Sequence, residues 1–154
     1  MPNTRQFHIT LFICGFLTKQ NPVWDDDFCI EKMHQHIRHL TERSQNKIQL
    51  KTGRINSFES ALFVEIIDEN DVLLKLRHLL GQSCDEIAPL DYCPHLTLGL
   101  YDQAFNSDLI FKRINSIEQK SFEFSVDQLT FGTYNAKILQ GQLYPFHQFQ
   151  LGDV

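Results

Sequence analysis

The chain has 154 residues, 42% of them hydrophobic and 21% charged, with a net charge of −5. That is the length of one domain with a real core, and no apolar run approaches the ~18 residues of a membrane span. The acidic balance excludes bulk electrostatic wrapping of long nucleic acid and leaves a short or small phosphate-bearing ligand held by local donors.

Met1 to Gln6 open directly into a strand pattern with no apolar leader, so a cytoplasmic protein is expected. Residues 7–17 read as the first strand, closed by Gly15. Successive strand side chains alternate between faces, so His8 and Thr10 look one way while Phe7, Ile9 and Leu11 look the other. After a turn at Asn21-Pro22, Asp25-Asp26-Asp27 suits a helix N-terminus, where carboxylates meet free N–H groups and the positive dipole end. Ile30, Met33, Ile37 and Leu40 then form the stripe of an amphipathic helix running to about Ser44. Residues 47–58 and 61–67 read as two strands, the second apolar enough to be central. A second helix starts at Asp68 to Asp71, carries Leu73, Leu76, Leu79 and Leu80, and ends at Gly81 as C-cap.

Pro94 leads into His95-Leu-Thr-Leu-Gly-Leu100, a strand with the same device as the first. His95, Thr97, Gly99 and Tyr101 are expected on one face, and Leu96, Leu98 and Leu100 on a core face. Asn106-Ser107-Asp108 caps a helix bearing Ile110, Ile114 and Ile117, and residues 122–133 and 137–149 form two more strands turning at Asn135-Ala136. The order strand with His-x-Thr, helix, strand, strand thus occurs twice. It predicts a single α+β domain over 1–154, built of two similar lobes, each a small, mostly antiparallel sheet with outer helices. Seven His and eight Thr predict about 0.4 His-x-Thr triplets by chance, so the weight lies in the matching strand context of the two copies rather than in the tripeptide.

Phe7-His-Ile-Thr-Leu-Phe-Ile-Cys-Gly15 resembles the first motif of the 2H phosphoesterases, including the bacterial 2′-5′ RNA ligase and RNA 2′,3′-cyclic phosphodiesterase group, and Pro94-His-Leu-Thr-Leu98 resembles the second. Leu129-Thr-Phe131 and Gly141-Gln-Leu-Tyr144 are similar to that family's C-terminal hairpin. The resemblance spans nearly the whole chain in order and spacing. It implies lobes related by a pseudo-twofold, with the motifs facing across a central cleft. It also implies a 2′-phosphate product, His95 as the base toward water and His8 as the acid. Many bacterial cyclic phosphodiesterases have an Arg shortly after the second motif, where this chain has Leu100.

Facing strands would gather two imidazoles and two hydroxyls around one point. Opening a 2′,3′-cyclic phosphate needs a base for water and an acid for the departing ribose oxygen, and two histidines can hold one proton between them at neutral pH. The hydroxyls of Thr10 and Thr97 would donate to the charge gathering on the phosphorane-like oxygens. No cofactor is required. The same site would catalyse the reverse, joining 2′-5′ ends. The substrate is expected to be an RNA end or a small nucleotide, and the alternative is a nucleotide-binding module that uses the cleft without turnover.

Other features carry less. Cys29, His34, His36 and His39 invite a metal reading, but His34 and His36 lie about 160° apart on a helix and no third ligand is in step with His39, so a polar helix face is expected instead. Arg38, Arg43, Lys47, Lys51 and Arg54 are a local basic excess; Lys51 and Arg54, with Tyr101, are candidate substrate contacts. Phe16, Tyr101, Tyr134 and Tyr144 have rings able to stack a base, although strand aromatics more often pack. Cys14, Cys29, Cys84 and Cys93 contain no C-x-x-C pair and read as reduced thiols.

Overall fold

The computed structural model describes residues 4–19, 21–43, 45–87, 89 and 91–152. Met1 to Asn3 and Ser44, the expected helix end, lie outside them. In chain order the elements are β1 (Phe16–Thr18), β2 (Asp27–Cys29), α1 (Ile30–Glu42), β3 (Ile48–Ser57), β4 (Ala61–Ile67), α2 (Val72–Leu80), β5 (His95–Leu100), α3 (Ser107–Asn115), β6 (Glu123–Val126), β7 (Gln128–Thr133) and β8 (Tyr144–Gln150). The fold is of the expected two-lobed α+β kind. A four-stranded antiparallel sheet has the order β5-β4-β3-β6, β7 and β8 form an antiparallel pair, and β1 and β2 pair in parallel.

The apolar run of β4 lies inside the sheet, between β3 and β5, as its composition requires. Leucines at helical spacing on α2 (Leu73, Leu76, Leu79, Leu80) meet Leu40 of α1 and Ile48, Leu50 and Ile66 of the sheet in one buried cluster, which Leu151 also enters. Each of these side chains contributes roughly 1.5–3 kcal/mol by leaving water. No helix among the described residues is long and apolar enough to cross a membrane.

The two halves do not repeat strand for strand. The expected strand 122–133 splits at Asp127, so that β6 extends the large sheet while β7 joins β8. The last strand begins at Tyr144 rather than 137, because residues 136–140 make turns and Gln140 takes a left-handed conformation (φ 58°) that interrupts a strand. The first motif is not a regular strand either. Only Phe16–Thr18 qualifies, beyond the positive-φ turn at Gly15, where a side chain would collide with the Asp26 carbonyl.

Helix ends also differ from expectation in part. Asn106 caps α3 as expected, its side chain accepting from the N–H groups of Asp108 and Leu109. Asp25 to Asp27 do not start α1. The Asp27 carboxylate instead accepts from the backbone of Val23 and Trp24 (2.9 and 3.0 Å), which holds its carboxyl below the usual range and fixes the preceding turn. Gly81 is the C-cap of α2 as expected, in a right-handed conformation (φ −60°), with its N–H donating to the Arg77 carbonyl.

The inward stripe of α1 is Met33, His36 and Leu40. His36 is therefore not on a polar face: it is fully buried among Phe12, Phe28 and Phe131, with the Cys84 sulfur 3.3 Å from Nε2 and no hydrogen-bond partner for Nδ1 among the described residues. A helix pattern counts hydrophobic residues, and an imidazole standing in for one is invisible to it. Burial, reinforced by the nearby His39, pushes the His36 imidazole down to about 4. The unfolded chain would take up a proton near ~6.5, so His36 favours the folded state above that pH and this contribution is lost as pH falls toward 4. The loss should reach about 3 kcal/mol over that window. Denaturant titrations at pH 7 and pH 4 are expected to show a smaller decrease for His36→Leu than for wild type by this order; equal decreases would remove His36 as the cause.

Candidate active site

The two His-x-Thr segments meet at one backbone bridge, where Ile9 pairs antiparallel with Leu96. In that register His8 stands across from Thr97, and Thr10 across from His95. Ile9, Leu11 and Leu96 turn to the buried cluster and pack against it. Alternation then sends all four polar side chains to the opposite face, where His8, Thr10, His95 and Thr97 line one cleft of about 390 Å³. The apolar residue in the middle of each triplet is what aims its neighbours.

Each imidazole is held in the same way. Nδ1 of His8 lies 2.9 Å from the carbonyl oxygen of Gln6, and Nδ1 of His95 lies 2.7 Å from that of Cys93. A carbonyl only accepts, so Nδ1 carries the proton in both rings and Nε2 is the atom left for acid or base work. The His95 ring is also flanked by Phe58 and Phe63, at 5.0 and 5.4 Å between ring centres. Phe58 and Phe63 themselves stack at 3.9 Å.

Because the first motif lacks a regular ladder, side chains satisfy much of its backbone. The Tyr92 hydroxyl donates to the Thr10 carbonyl (3.0 Å), Arg77 Nη1 donates to the Leu11 carbonyl (2.7 Å), and the Ile13 N–H donates to Glu86 (3.1 Å). Arg77 and Glu86 form a two-pronged, largely buried ion pair, and the Arg77 guanidinium lies 4.1 Å from the centre of the Tyr92 ring. Burial pushes the Tyr92 phenol up to about 12, so it stays a donor across the neutral range. Nothing in the sequence pattern marked Arg77, Glu86 or Tyr92; they are bound to the motif by tertiary contact alone.

On the second motif a β-bulge changes the expected faces. Phe63 pairs with Thr97 but Leu62 with Gly99, so Leu98 is an extra residue. One inserted residue reverses alternation beyond it. Leu100, expected toward the core, therefore lines the cleft. Tyr101, expected beside His95, is not among the lining residues; its hydroxyl lies 2.7 Å from Ser57 Oγ and its ring contacts Phe105. Lys51 and Arg54 are also outside the lining. Lys51 borders a separate 140 Å³ pocket with Glu69, Asn70 and Glu123, and Arg54 is exposed on β3. The helix candidates are apart as well: His39 meets Ser83, and no group of three or more His, Cys, Asp or Glu among the described residues is placed to hold a metal ion.

Two parts of the cleft wall lay outside the sequence candidates. Arg5 and Gln6 precede the first motif, and Ile138 to Gln140 come from the 136–140 turns. Alternation outward from His8 would have reached Gln6, but the turn residues arrive only through folding. Tyr134 is the one of the four candidate stacking rings that lines the cleft.

A family model described as the 2′-5′ RNA ligase superfamily matches residues 3–137. No curated protein matches the chain.

The tethers make a spectroscopic prediction. In the neutral form of His8 and His95 the proton should sit on Nδ1, the reverse of the tautomer an exposed histidine favours. Long-range ¹H–¹⁵N spectra at pH above ~8 are expected to show two rings with Nε2 in the unprotonated shift range. Both rings in the Nε2–H form would contradict this geometry.

Proposed function

We propose that this chain, which belongs to the 2′-5′ RNA ligase superfamily and so to the 2H phosphoesterases, is a phosphodiesterase that opens 2′,3′-cyclic phosphates of RNA ends or nucleotides to 2′-phosphates. The observation that carries the reading is the single cleft lined by His8, Thr10, His95 and Thr97, with both imidazoles tethered through Nδ1.

In this reading one neutral imidazole, assigned to His95 by the family resemblance, takes a proton from water at Nε2. The resulting hydroxide attacks phosphorus, the bond from phosphorus to the 3′ oxygen breaks, and that oxygen receives the proton from Nε2 of His8. The product carries a 2′-phosphate and a free 3′-hydroxyl, and the base and acid have exchanged protonation states. Thr10 and Thr97 hydroxyls donate to the non-bridging oxygens, where charge accumulates in the transition state. Proton transfer and charge stabilisation are both supplied by these four side chains, so the chemistry needs no metal. With a 5′-hydroxyl in place of water, the same steps join the cyclic phosphate end to that hydroxyl through a 2′-5′ bond, the 3′ oxygen leaving with the proton from His8 as before. Lys51, Arg54 and Tyr101 lie outside the cleft lining and take no part in these steps at the reacting phosphate.

His8→Ala and His95→Ala are each expected to lower turnover of 2′,3′-cyclic AMP by at least ~10²-fold while remaining folded, and the double variant should be little worse than either single one. EDTA should leave the wild-type rate unchanged. Full activity in either single variant would sink the scheme, and binding of AMP with no turnover by wild type would favour a non-catalytic nucleotide-binding module.

A site that needs one neutral and one protonated imidazole works between two macroscopic pKa values that belong to the pair. The profile of kcat/KM against pH is therefore expected to be a bell with one acidic and one basic limb. The variant lacking the base should lose the acidic limb in its residual activity, and the variant lacking the acid should lose the basic limb. A wild-type rate that climbs steadily to pH 9 would show that no protonated histidine takes part.

A further inference from the structure

Beside its polar floor the cleft has an apolar rim. Tyr134, Ile138 and Leu139 all line it, and they are 51%, 47% and 74% exposed. Apolar side chains left in water next to a group of polar ones mark a surface shaped for an amphipathic ligand.

The rim is held in place. The Thr4 N–H and hydroxyl both donate to the Gln140 carbonyl, Arg5 Nε donates to the Gly141 carbonyl (2.9 Å), and Gln6 exchanges two bonds with the Leu143 backbone. Gln140 pays for this with a left-handed backbone. Those bonds tie the chain that continues from the rim, residues 140–143, to Thr4, Arg5 and Gln6, which lead into the first motif.

At the rim, the Arg5 guanidinium lies 4.3 Å from the centre of the Tyr134 ring. A cation on one face clamps the ring and draws on its electron density, which suits the rest of its surface to an electron-rich planar partner.

We propose that Tyr134, clamped by Arg5 and bordered by Leu139, is a nucleobase platform that stacks the base attached to the reacting ribose. It makes the cleft select nucleotides over cyclic phosphates that lack a base. This rests on the phosphodiesterase reading above and adds the part of the substrate that reading leaves open.

The test compares 2′,3′-cyclic AMP with methyl ribofuranoside 2′,3′-cyclic phosphate, which has no base. For Tyr134→Ala the KM for cyclic AMP should rise roughly 10- to 100-fold with kcat within about twofold of wild type, since stacking acts on binding rather than chemistry. The base-less compound should react with Tyr134→Ala as with wild type, and Tyr134→Phe should restore the wild-type KM for cyclic AMP. Tyr134→Leu, apolar but not planar, gives the same split if the alanine variant is unstable. Equal losses on both compounds, a fall in kcat alone, or an unchanged KM would overturn the platform. If wild type turns over neither compound, it is the phosphodiesterase reading that fails. Calorimetric binding of 2′-AMP then decides the platform: weaker binding by Tyr134→Ala supports it, and equal affinity or no binding overturns it.

Discussion

One backbone bridge, Ile9 to Leu96, sets the geometry on which the cleft depends. It joins the middle residues of two triplets far apart in the chain, and the packing of both partly buried apolar side chains against the core cluster locks the register. A slip by one residue would carry Ile9 or Leu96 into water and send a histidine into the core, so the hydrophobic term opposes it at every step. The polar site is thus positioned by what lies behind it. Its four side chains need no contact with one another to share a face.

Antiparallel pairing brings the motifs together, but it does not satisfy the first one. Its backbone groups beyond the bridge would be left wanting partners at the edge of the core, a costly state for buried amides. Arg77, Tyr92 and Glu86 supply them from α2 and from the connection that follows it. The Arg77–Glu86 pair is nearly out of solvent, where two charges offset their desolvation only through good geometry and further bonds. Here the further bonds go to the motif backbone. Stabilising the ion pair and placing the motif are therefore one arrangement, and α2 bears on a cleft it does not line.

The cleft itself divides by chemistry. Its floor comes from strand positions whose neighbours face the core, and is polar, with the imidazoles oriented by carbonyl acceptors two residues back. Its rim comes from turns and is apolar and exposed, held to the chain just before His8. A nucleotide has the same division, with a charged reacting group at one end and a flat apolar body at the other. The acidic balance of the whole chain is compatible with this, because recognition rests on a few local groups and not on a broad positive field.

The α+β class, the central position of Ala61–Ile67, the Asn106 cap and the common face of His8, Thr10, His95 and Thr97 were legible in the sequence, because each follows from local periodicity or a short-range hydrogen bond. Periodicity fails wherever one residue is inserted or one polar residue replaces an apolar one. The bulge at Leu98 exchanged the expected places of Leu100 and Tyr101, and His36 took a core position that a hydrophobic stripe cannot reveal. The strap from Arg77 and the seating of Tyr134 against Arg5 join segments with no shared local signal. By itself, then, the sequence determined which side chains share a face within each His-x-Thr triplet, since extended backbone alternates over three residues. Only the tertiary structure decided which faces meet, because that depends on how the whole chain buries its apolar surface and finds partners for its remaining backbone groups.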